Sequence, residues 1–158
     1  IHSMANHYLK TKEWTTSIVH PKDAIILKNG SLRLWDTLDT INFPGFIEKN
    51  KDIKFLEPNV VGFNDSEWYC GELDYLVERN GELGIADFKT REIQEGDFSQ
   101  MAAYARFDNI KPIKFLLGIP LNPKNKSGFG NAVYETDIDK HFNIFLRYRQ
   151  DFKEKFNV

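Results

Sequence analysis

The stretch GELDYLVERNGELGIADFKT, residues 71–90, decides the fold. At its centre, Arg79-Asn80-Gly81-Glu82 contains Asn-Gly, the strongest short signal for a two-residue hairpin turn. Residues on both sides of this turn are rich in apolar and aromatic side chains, so we predict strands over 68–78 and 83–90. The two strands then form the arms of one antiparallel hairpin.

Further elements extend outward from this hairpin in both directions. Residues 55–63 read as a preceding strand, and Pro58 indicates that it is an edge strand or carries a bulge. After the hairpin, apolar residues at helical spacing predict a helix over 98–107. The almost continuous apolar run at 113–121 predicts a buried strand.

The C-terminal part of the chain adds a short strand over 132–135 and a long helix over 137–156. The apolar face of this helix is expected to comprise Ile138, Phe142, Phe145, Phe152 and Phe156. From residue 54 onward the order is therefore β-β-β-α-β-β-α. That order predicts an α/β domain with a mixed sheet flanked by helices.

The first third of the chain carries weaker signals. Residues 22–27 are interpreted as a short strand that ends at Asn29-Gly30. Ser31 is expected to cap a helix that ends near Pro44-Gly45.

Length and composition are those of one globular domain. The chain has 158 residues, of which 41% are hydrophobic. Residues 1–3 precede Met4 and look like the remnant of an expression tag, so the single domain is expected to span 4–158. The formal net charge of -2 neither favours nor excludes nucleic acid, because binding depends on local patches.

The single cysteine, Cys70, excludes disulfides, Cys-based zinc sites and iron–sulfur clusters within this chain. No apolar run approaches the roughly 20 residues that span a bilayer, and no signal-peptide pattern precedes the domain. A cytoplasmic protein without a membrane partner is expected.

Three residues in the hairpin carry the strongest chemical signal. Asp74 lies on one arm, whereas Asp87 and Lys89 lie on the other and leave the same face of the sheet. Two acids can hold Mg²⁺ or Mn²⁺ through oxygen ligands, and a lysine adds positive charge beside an attacked phosphate. This combination is typical of phosphodiester hydrolysis.

Asp-x-Lys alone is a weak motif. It recurs at Asp52-Ile53-Lys54 and at Asp151-Phe152-Lys153, the second of these within a surface helix. What distinguishes Asp87-Phe88-Lys89 is its context: Gly71 and Asp74 precede it across the hairpin, and a helix carrying Gln100 and Tyr104 follows it.

In this context, residues 55–120 resemble the core of the PD-(D/E)XK nuclease superfamily. The chain is most similar to its RecB-like branch, which includes mitochondrial genome maintenance exonucleases and phage exonucleases. Those families combine a Gly-x-x-Asp strand, an Asp-x-Lys-Thr strand and a Gln-x-x-x-Tyr helix. The resemblance implies a restriction-endonuclease-like fold and a metal-dependent DNA nuclease, with exonuclease action on single-stranded or end-bearing DNA.

The resemblance also implies roles for individual residues. Asp74, Asp87 and the carbonyl of Phe88 would bind the metal, and Glu57 would complete its shell. Lys89 would be the catalytic lysine. On the following helix, Gln100 and Tyr104 would contact DNA or position that lysine. Many relatives have a longer helical segment before the sheet, so a minimal version that depends on a protein partner is one interpretation, and the oligomeric state is left open.

Simpler interpretations stand beside these roles. Asp74, Asp87 and Lys89 could form a cross-strand ion pair on a half-exposed sheet. Asp97 could be the N-cap of the helix with Gln100 as its capping-box partner, and Tyr104 could belong to the core. The whole chain could also be a non-catalytic nucleic-acid-binding or assembly module, or a nuclease acting on RNA.

Several outlying residues are further candidates. Arg91, Lys124 and Lys126 are expected to contact DNA phosphates, as is Arg106; Phe129 could stack on a base. His20 could bind the metal, although Pro21 disfavours a helix there. Glu72 could be an accessory ligand or a solvated acid, and His141 is predicted to be a surface residue.

Overall fold

The computed structural model describes residues 2–13, 43–121 and 129–157. Within them, one mixed sheet holds five strands in chain order: β1 (Lys54–Asn64), β2 (Tyr69–Arg79), β3 (Glu82–Lys89), β4 (Phe115–Pro120) and β5 (Val133–Glu135). The pairs β1–β2, β2–β3 and β4–β5 are antiparallel, whereas β3 and β4 are parallel. The predicted α/β class with a mixed sheet is therefore confirmed.

The hairpin that joins β2 and β3 turns at the predicted position. Asn80 and Gly81 have φ angles of 54° and 80°, the left-handed conformation that two-residue hairpins require at both central positions. Arg79 pairs with Glu82 across the turn. The register of the two strands is thereby set by the Asn-Gly dipeptide.

Strand β1 lies at the edge of the sheet, as Pro58 predicts. Its register against β2 shifts between Phe55 and Glu57, and Asn59 has a positive φ of 54°. A proline is tolerated here because an edge strand leaves one row of N–H groups outside the ladder.

Four helices in the described residues flank the sheet: α1 (His2–Thr11), α2 (Phe43–Lys49), α3 (Glu95–Tyr104) and α4 (Ile138–Phe156). Ala5 of α1 and Phe43 and Phe46 of α2 pack in one core cluster with Phe88 of β3. Side chains of α3 and α4 pack in the other cluster, against Leu116 of β4. Helices therefore cover both faces, which accounts for the complete burial of β4.

The predictions for the first third of the chain agree less well with the structure. Helix α1 was not anticipated, and α2 contains Pro44-Gly45, where the sequence predicts a helix end. Pro44 is the second residue of α2, and the first turn of a helix needs no N–H donor. The predicted strand over 22–27 and the cap at Ser31 lie outside the described residues.

Helix α3 is displaced by three residues from its predicted range of 98–107. Its N-cap is Gln94, whose backbone N–H donates to the Asp97 carboxylate at 2.8 Å. Asp97 therefore occupies the third helical position rather than the cap. The alternative in which Asp97 caps the helix and Gln100 completes the capping box is wrong.

Helix α4 begins at Ile138, one residue after its predicted start, with Asp137 as its N-cap, and its buried face differs from the predicted one. Phe152 and Phe156 are 57% and 54% exposed, whereas His141 and Ile144 are buried. Residues 150–157 are all exposed, because none of the described residues packs over the second half of the helix.

None of the helices in the described part of the chain combines the length and apolar character needed to cross a bilayer.

Candidate functional site

The site is centred where β2 and β3 separate. Their ladder ends at the pair Tyr75–Ala86, and one further step of the same register would set Asp74 opposite Asp87. Beyond that pair the backbone N–H of Phe88 donates instead to the side chain of Asp74, 2.9 Å away. The Asp74 carboxylate thus takes the place of a backbone acceptor on the neighbouring strand. This hydrogen bond holds Asp74 at the point where β2 and β3 diverge.

Asp87 and Lys89 share the opposite arm, as their spacing predicts. Asp87 is 5% exposed, and Lys89 Nζ lies 2.7 Å from its Oδ2 atom. The direction of that approach does not satisfy hydrogen-bond geometry, and no described residue donates a hydrogen bond to Oδ2. The buried Oδ2 atom of Asp87 is therefore paired with the charge of Lys89, but among the described residues it accepts no well-oriented hydrogen bond.

The environment of Asp87 makes its charged form unfavourable. Burial raises its pKa to about 6, and the neighbouring Asp74 carboxylate adds to the rise, while Lys89 opposes it. A perturbed carboxyl beside a second carboxyl and a lysine is characteristic of functional sites.

Gln100 and Tyr104 lie one turn apart on α3 and are joined by a hydrogen bond from Gln100 Nε2 to the Tyr104 hydroxyl, at 2.9 Å. Burial raises the pKa of Tyr104, and the negative charges of Asp87 and Asp74 raise it further. The ring packs so closely on Gly71 that a Cβ there would lie 2.8 Å from Tyr104 Cε1. The Gln-x-x-x-Tyr motif of α3 therefore lies beside the Gly-x-x-Asp motif of β2 and the Asp-x-Lys motif of β3.

Asp97 is a site residue that the sequence interpretation missed. Arg91 Nη1 and Nη2 donate to its two carboxylate oxygens at 2.7 Å each, and Lys89 Nζ lies 3.9 Å from Oδ1. Burial works against the charged form, but the hydrogen bonds from Arg91 and from the Gln94 backbone outweigh it and lower the pKa of Asp97. An acid in the first turn of a helix that follows the lysine was the available signal.

Glu57 is not brought into this cluster. It is exposed on β1, and it lines a groove of about 550 Å³ together with Leu76 and Lys111. Among the described residues, no three or more His, Cys, Asp or Glu side chains form a group that could hold a metal. Glu72 is likewise exposed and accepts a hydrogen bond from Asn59.

Two residues predicted to contact DNA have partners within the protein. The guanidinium of Arg91 is bound to Asp97, and that of Arg106 pairs with Asp139 and lies near the Phe142 ring. The Phe129 ring packs edge-on against Phe46, with 6.0 Å between centroids. Lys124, Lys126 and His20 lie outside the described residues.

The prediction that His141 is a surface residue is wrong. Its side chain is buried, and Nε2 lies 3.0 Å from a carboxylate oxygen of Glu135. The backbone N–H of Asp137 and the His141 ring lower the pKa of Glu135. Glu135 on β5 supplies the polar partner that allows a histidine to be buried there.

The residues where β2 and β3 diverge offer the types of ligand atom that a hard divalent cation prefers. Carboxylate oxygens and a backbone carbonyl are the ligands that Mg²⁺ and Mn²⁺ take. Asp74 and Asp87 supply the carboxylates, and the Phe88 carbonyl lies between Asp87 and Lys89 in the chain. Oδ2 of Asp87, buried without an oriented donor, is the atom best placed to gain from a cation.

An aromatic groove begins beside Gln100 and Tyr104. It has a volume of about 430 Å³ and is lined on its other sides by Tyr69, Phe145 and Tyr148. Tyr148 is 58% exposed. Exposed rings of this kind offer flat surfaces on which unpaired bases can stack.

Comparison with known proteins adds no family. The sequence matches no protein-family model and no curated protein. Any function assigned to the chain therefore depends on the geometry of Asp74, Asp87 and Lys89 and on the motifs around them.

Proposed function

We propose that this chain is a divalent-metal-dependent nuclease that hydrolyses phosphodiester bonds in DNA on a restriction-endonuclease-like fold. The observation that carries the proposal is the convergence of Asp74, Asp87 and Lys89 where β2 and β3 separate. A buried carboxyl with a raised pKa destabilises the protein at neutral pH. A binding module would gain nothing from such a group, because clustered acids repel phosphate.

The protein's own groups have distinct tasks in this reaction. Asp74, Asp87 and the Phe88 carbonyl would hold Mg²⁺ or Mn²⁺, which supplies Lewis acidity toward the phosphate and activates water when bound. Lys89, whose Nζ lies beside Asp87 in the structure, would offset negative charge that develops on the attacked phosphate. The hydrogen-bonded pair of Gln100 and Tyr104 orients the substrate strand.

Single-stranded or end-bearing DNA is the proposed substrate, with exonuclease action. The resemblance of the motifs supports this choice, and so does the aromatic groove that begins at Tyr104. Stacking on Tyr69, Phe145 and Tyr148 requires unpaired bases and is tolerant of sequence.

A cleavage assay tests the proposal. End-labelled single-stranded DNA, duplex DNA and RNA are incubated with Mn²⁺, Mg²⁺ or EDTA, and wild type is compared with Asp87→Ala and Lys89→Ala. The second Asp-x-Lys copy supplies matched controls, because Asp151 and Lys153 lie on the exposed part of α4. Asp151→Ala and Lys153→Ala should retain metal-dependent cleavage that Asp87→Ala and Lys89→Ala lose.

Other outcomes point to the alternatives. Cleavage of RNA alone would identify an RNA-directed nuclease on the same site. Absence of cleavage by folded wild type with every metal would overturn the enzyme and leave a non-catalytic nucleic-acid-binding module.

A further inference from the structure

We propose that Asp97 is a positioning residue that receives Lys89 when Asp87 binds the metal ion. This inference rests on the proposed function. In the structure Lys89 Nζ lies between two carboxylates, 2.7 Å from Asp87 Oδ2 and 3.9 Å from Asp97 Oδ1. To reach Asp97 Oδ1 at the distance that it now has from Asp87 Oδ2, Nζ must move by at least 1.2 Å, the difference between 3.9 and 2.7 Å.

Asp97 is held in place by groups other than Lys89. The Arg91 guanidinium donates a hydrogen bond to each of the two Asp97 carboxylate oxygens, and the Gln94 backbone N–H donates to Oδ2. A carboxylate offers about four lone-pair sites, so these three donors leave room on Oδ1. Because Asp97 is also 6% exposed and fixed at the start of α3, Lys89 must be the partner that moves.

Charge explains why a second acceptor is needed. Three carboxylates, Asp74, Asp87 and Asp97, face two cations, Lys89 and Arg91. A divalent cation on Asp87 competes with Lys89 for that carboxylate and repels its ammonium. Without Asp97, the lysine would be expelled from the site that it serves. With Asp97, it remains beside the attacked phosphate.

Arg91 has a complementary effect in this arrangement. Its two hydrogen bonds lower the pKa of Asp97 and so favour the charged carboxylate despite burial. Arg91 thus has a role inside the site, and its predicted contact with DNA stays a prediction.

A simpler role for Asp97 would be to cap α3 and anchor Arg91, with no influence on Lys89. The substitution Asp97→Asn separates the two roles, because asparagine still accepts from the Gln94 N–H and from one arm of Arg91. What it removes is the charge that attracts Lys89, together with one of the two hydrogen bonds from Arg91.

The test is a double-mutant cycle on Mn²⁺ affinity, measured by calorimetry and by the electron paramagnetic resonance signal of free Mn²⁺. Asp97→Asn should weaken binding about threefold to tenfold, the range expected for a partly buried ion pair. In a Lys89→Met background the same substitution should leave the affinity unchanged. Asp151→Asn, on the exposed part of α4, is the control for general charge effects.

Each result of the cycle has a defined meaning. Equal losses in both backgrounds would show that Asp97 acts on the ion directly, which overturns the inference. Unchanged Mn²⁺ affinity in Asp97→Asn would also overturn the inference about Asp97, but it would leave the proposed metal site intact. Wild type that binds no Mn²⁺ would overturn the proposed function and this inference with it.

A second measurement covers the case in which Asp97→Asn does not fold. The lysine Nζ signals of wild type are followed by NMR during a Mg²⁺ titration, and Lys89 is assigned by its absence in Lys89→Met. Ammonium protons of a lysine held in an ion pair exchange slowly enough to be seen. A Lys89 signal that shifts and persists supports transfer to Asp97, whereas a signal lost on addition of Mg²⁺ shows release to solvent and overturns it.

Discussion

The carboxylate of Asp74 accepts a hydrogen bond from the backbone N–H of Phe88, with 2.9 Å between Oδ2 and the nitrogen. This bond closes the gap that opens between β2 and β3 after the pair Tyr75–Ala86. It also fixes the acid next to Asp87. One interaction therefore serves the fold and the proposed metal site together, and substitutions can separate its two roles.

Asp74→Ala and Asp74→Asn should differ in stability but not in activity. Alanine leaves the Phe88 N–H without its acceptor and should lower the free energy of unfolding by about 1–3 kcal/mol. Asparagine retains an acceptor oxygen and should lie within about 1 kcal/mol of wild type. Both should lose metal-dependent cleavage. Urea denaturation beside the cleavage assay checks this, and equal destabilisation by the two substitutions would contradict it.

Asp87 should make the metal-free protein less stable as pH rises. Its pKa is about 6 in the folded protein, against an ordinary value of 3.8, so the folded state holds the proton more tightly. The resulting stabilisation is complete below pH 3.8 and is lost as pH rises through about 6. The difference in pKa corresponds to a free energy on the order of 3 kcal/mol.

Asp87→Asn should therefore stabilise the protein at pH 7.5 in EDTA. We expect a gain of up to about 3 kcal/mol, because the opposing effect of Lys89 is already contained in the pKa of about 6. The gap should close below pH 4, and the exposed Asp151→Asn should show no such trend. Thermal denaturation across this pH range measures it, and a variant less stable than wild type at pH 7.5 would contradict the expectation.

The parts of the fold that sequence predicts well are those fixed by local chemistry. Asn80-Gly81 determines the turn, and the turn determines the register. The same register brings Asp74 toward Asp87. Burial of both faces of β4 is similarly visible in its unbroken apolar run.

What sequence failed to predict depends on side-chain contacts between adjoining elements, which no periodic pattern signals. His141 is buried because Glu135, on another element, supplies its partner. Arg91 and Asp97 pair because the segment between β3 and α3 folds back, and that path leaves no periodic pattern. Glu57 was predicted to be a metal ligand from its position on the strand before Gly71 and Asp74. In the structure it is exposed on the edge strand β1 and lines a separate groove.

Gly71→Ala should disturb the site through Tyr104. The added Cβ would lie 2.8 Å from Tyr104 Cε1, so the ring must shift from the position that it holds near Asp74 and Asp87. Cleavage should fall about tenfold to a hundredfold, because small misplacements of orienting groups are costly. Asp151→Ala, on the exposed part of α4 and away from this groove, is the control and should retain wild-type cleavage. Wild-type cleavage by Gly71→Ala would argue against a role for Tyr104.

Tyr148 should contribute to binding of single-stranded DNA if the aromatic groove receives bases. Its ring is 58% exposed and lines the groove that begins at Gln100 and Tyr104. Tyr148→Ser should weaken binding of a labelled oligonucleotide in EDTA by about 1–3 kcal/mol, the usual value of one stacked base. Phe156 is the control, because it lies on the same helix at 54% exposure but outside the groove. Fluorescence anisotropy should show a loss for Tyr148→Ser alone. Equal losses for Phe156→Ser would mean that α4 binds DNA through general hydrophobic contact, and no loss for either would move the DNA path away from this groove.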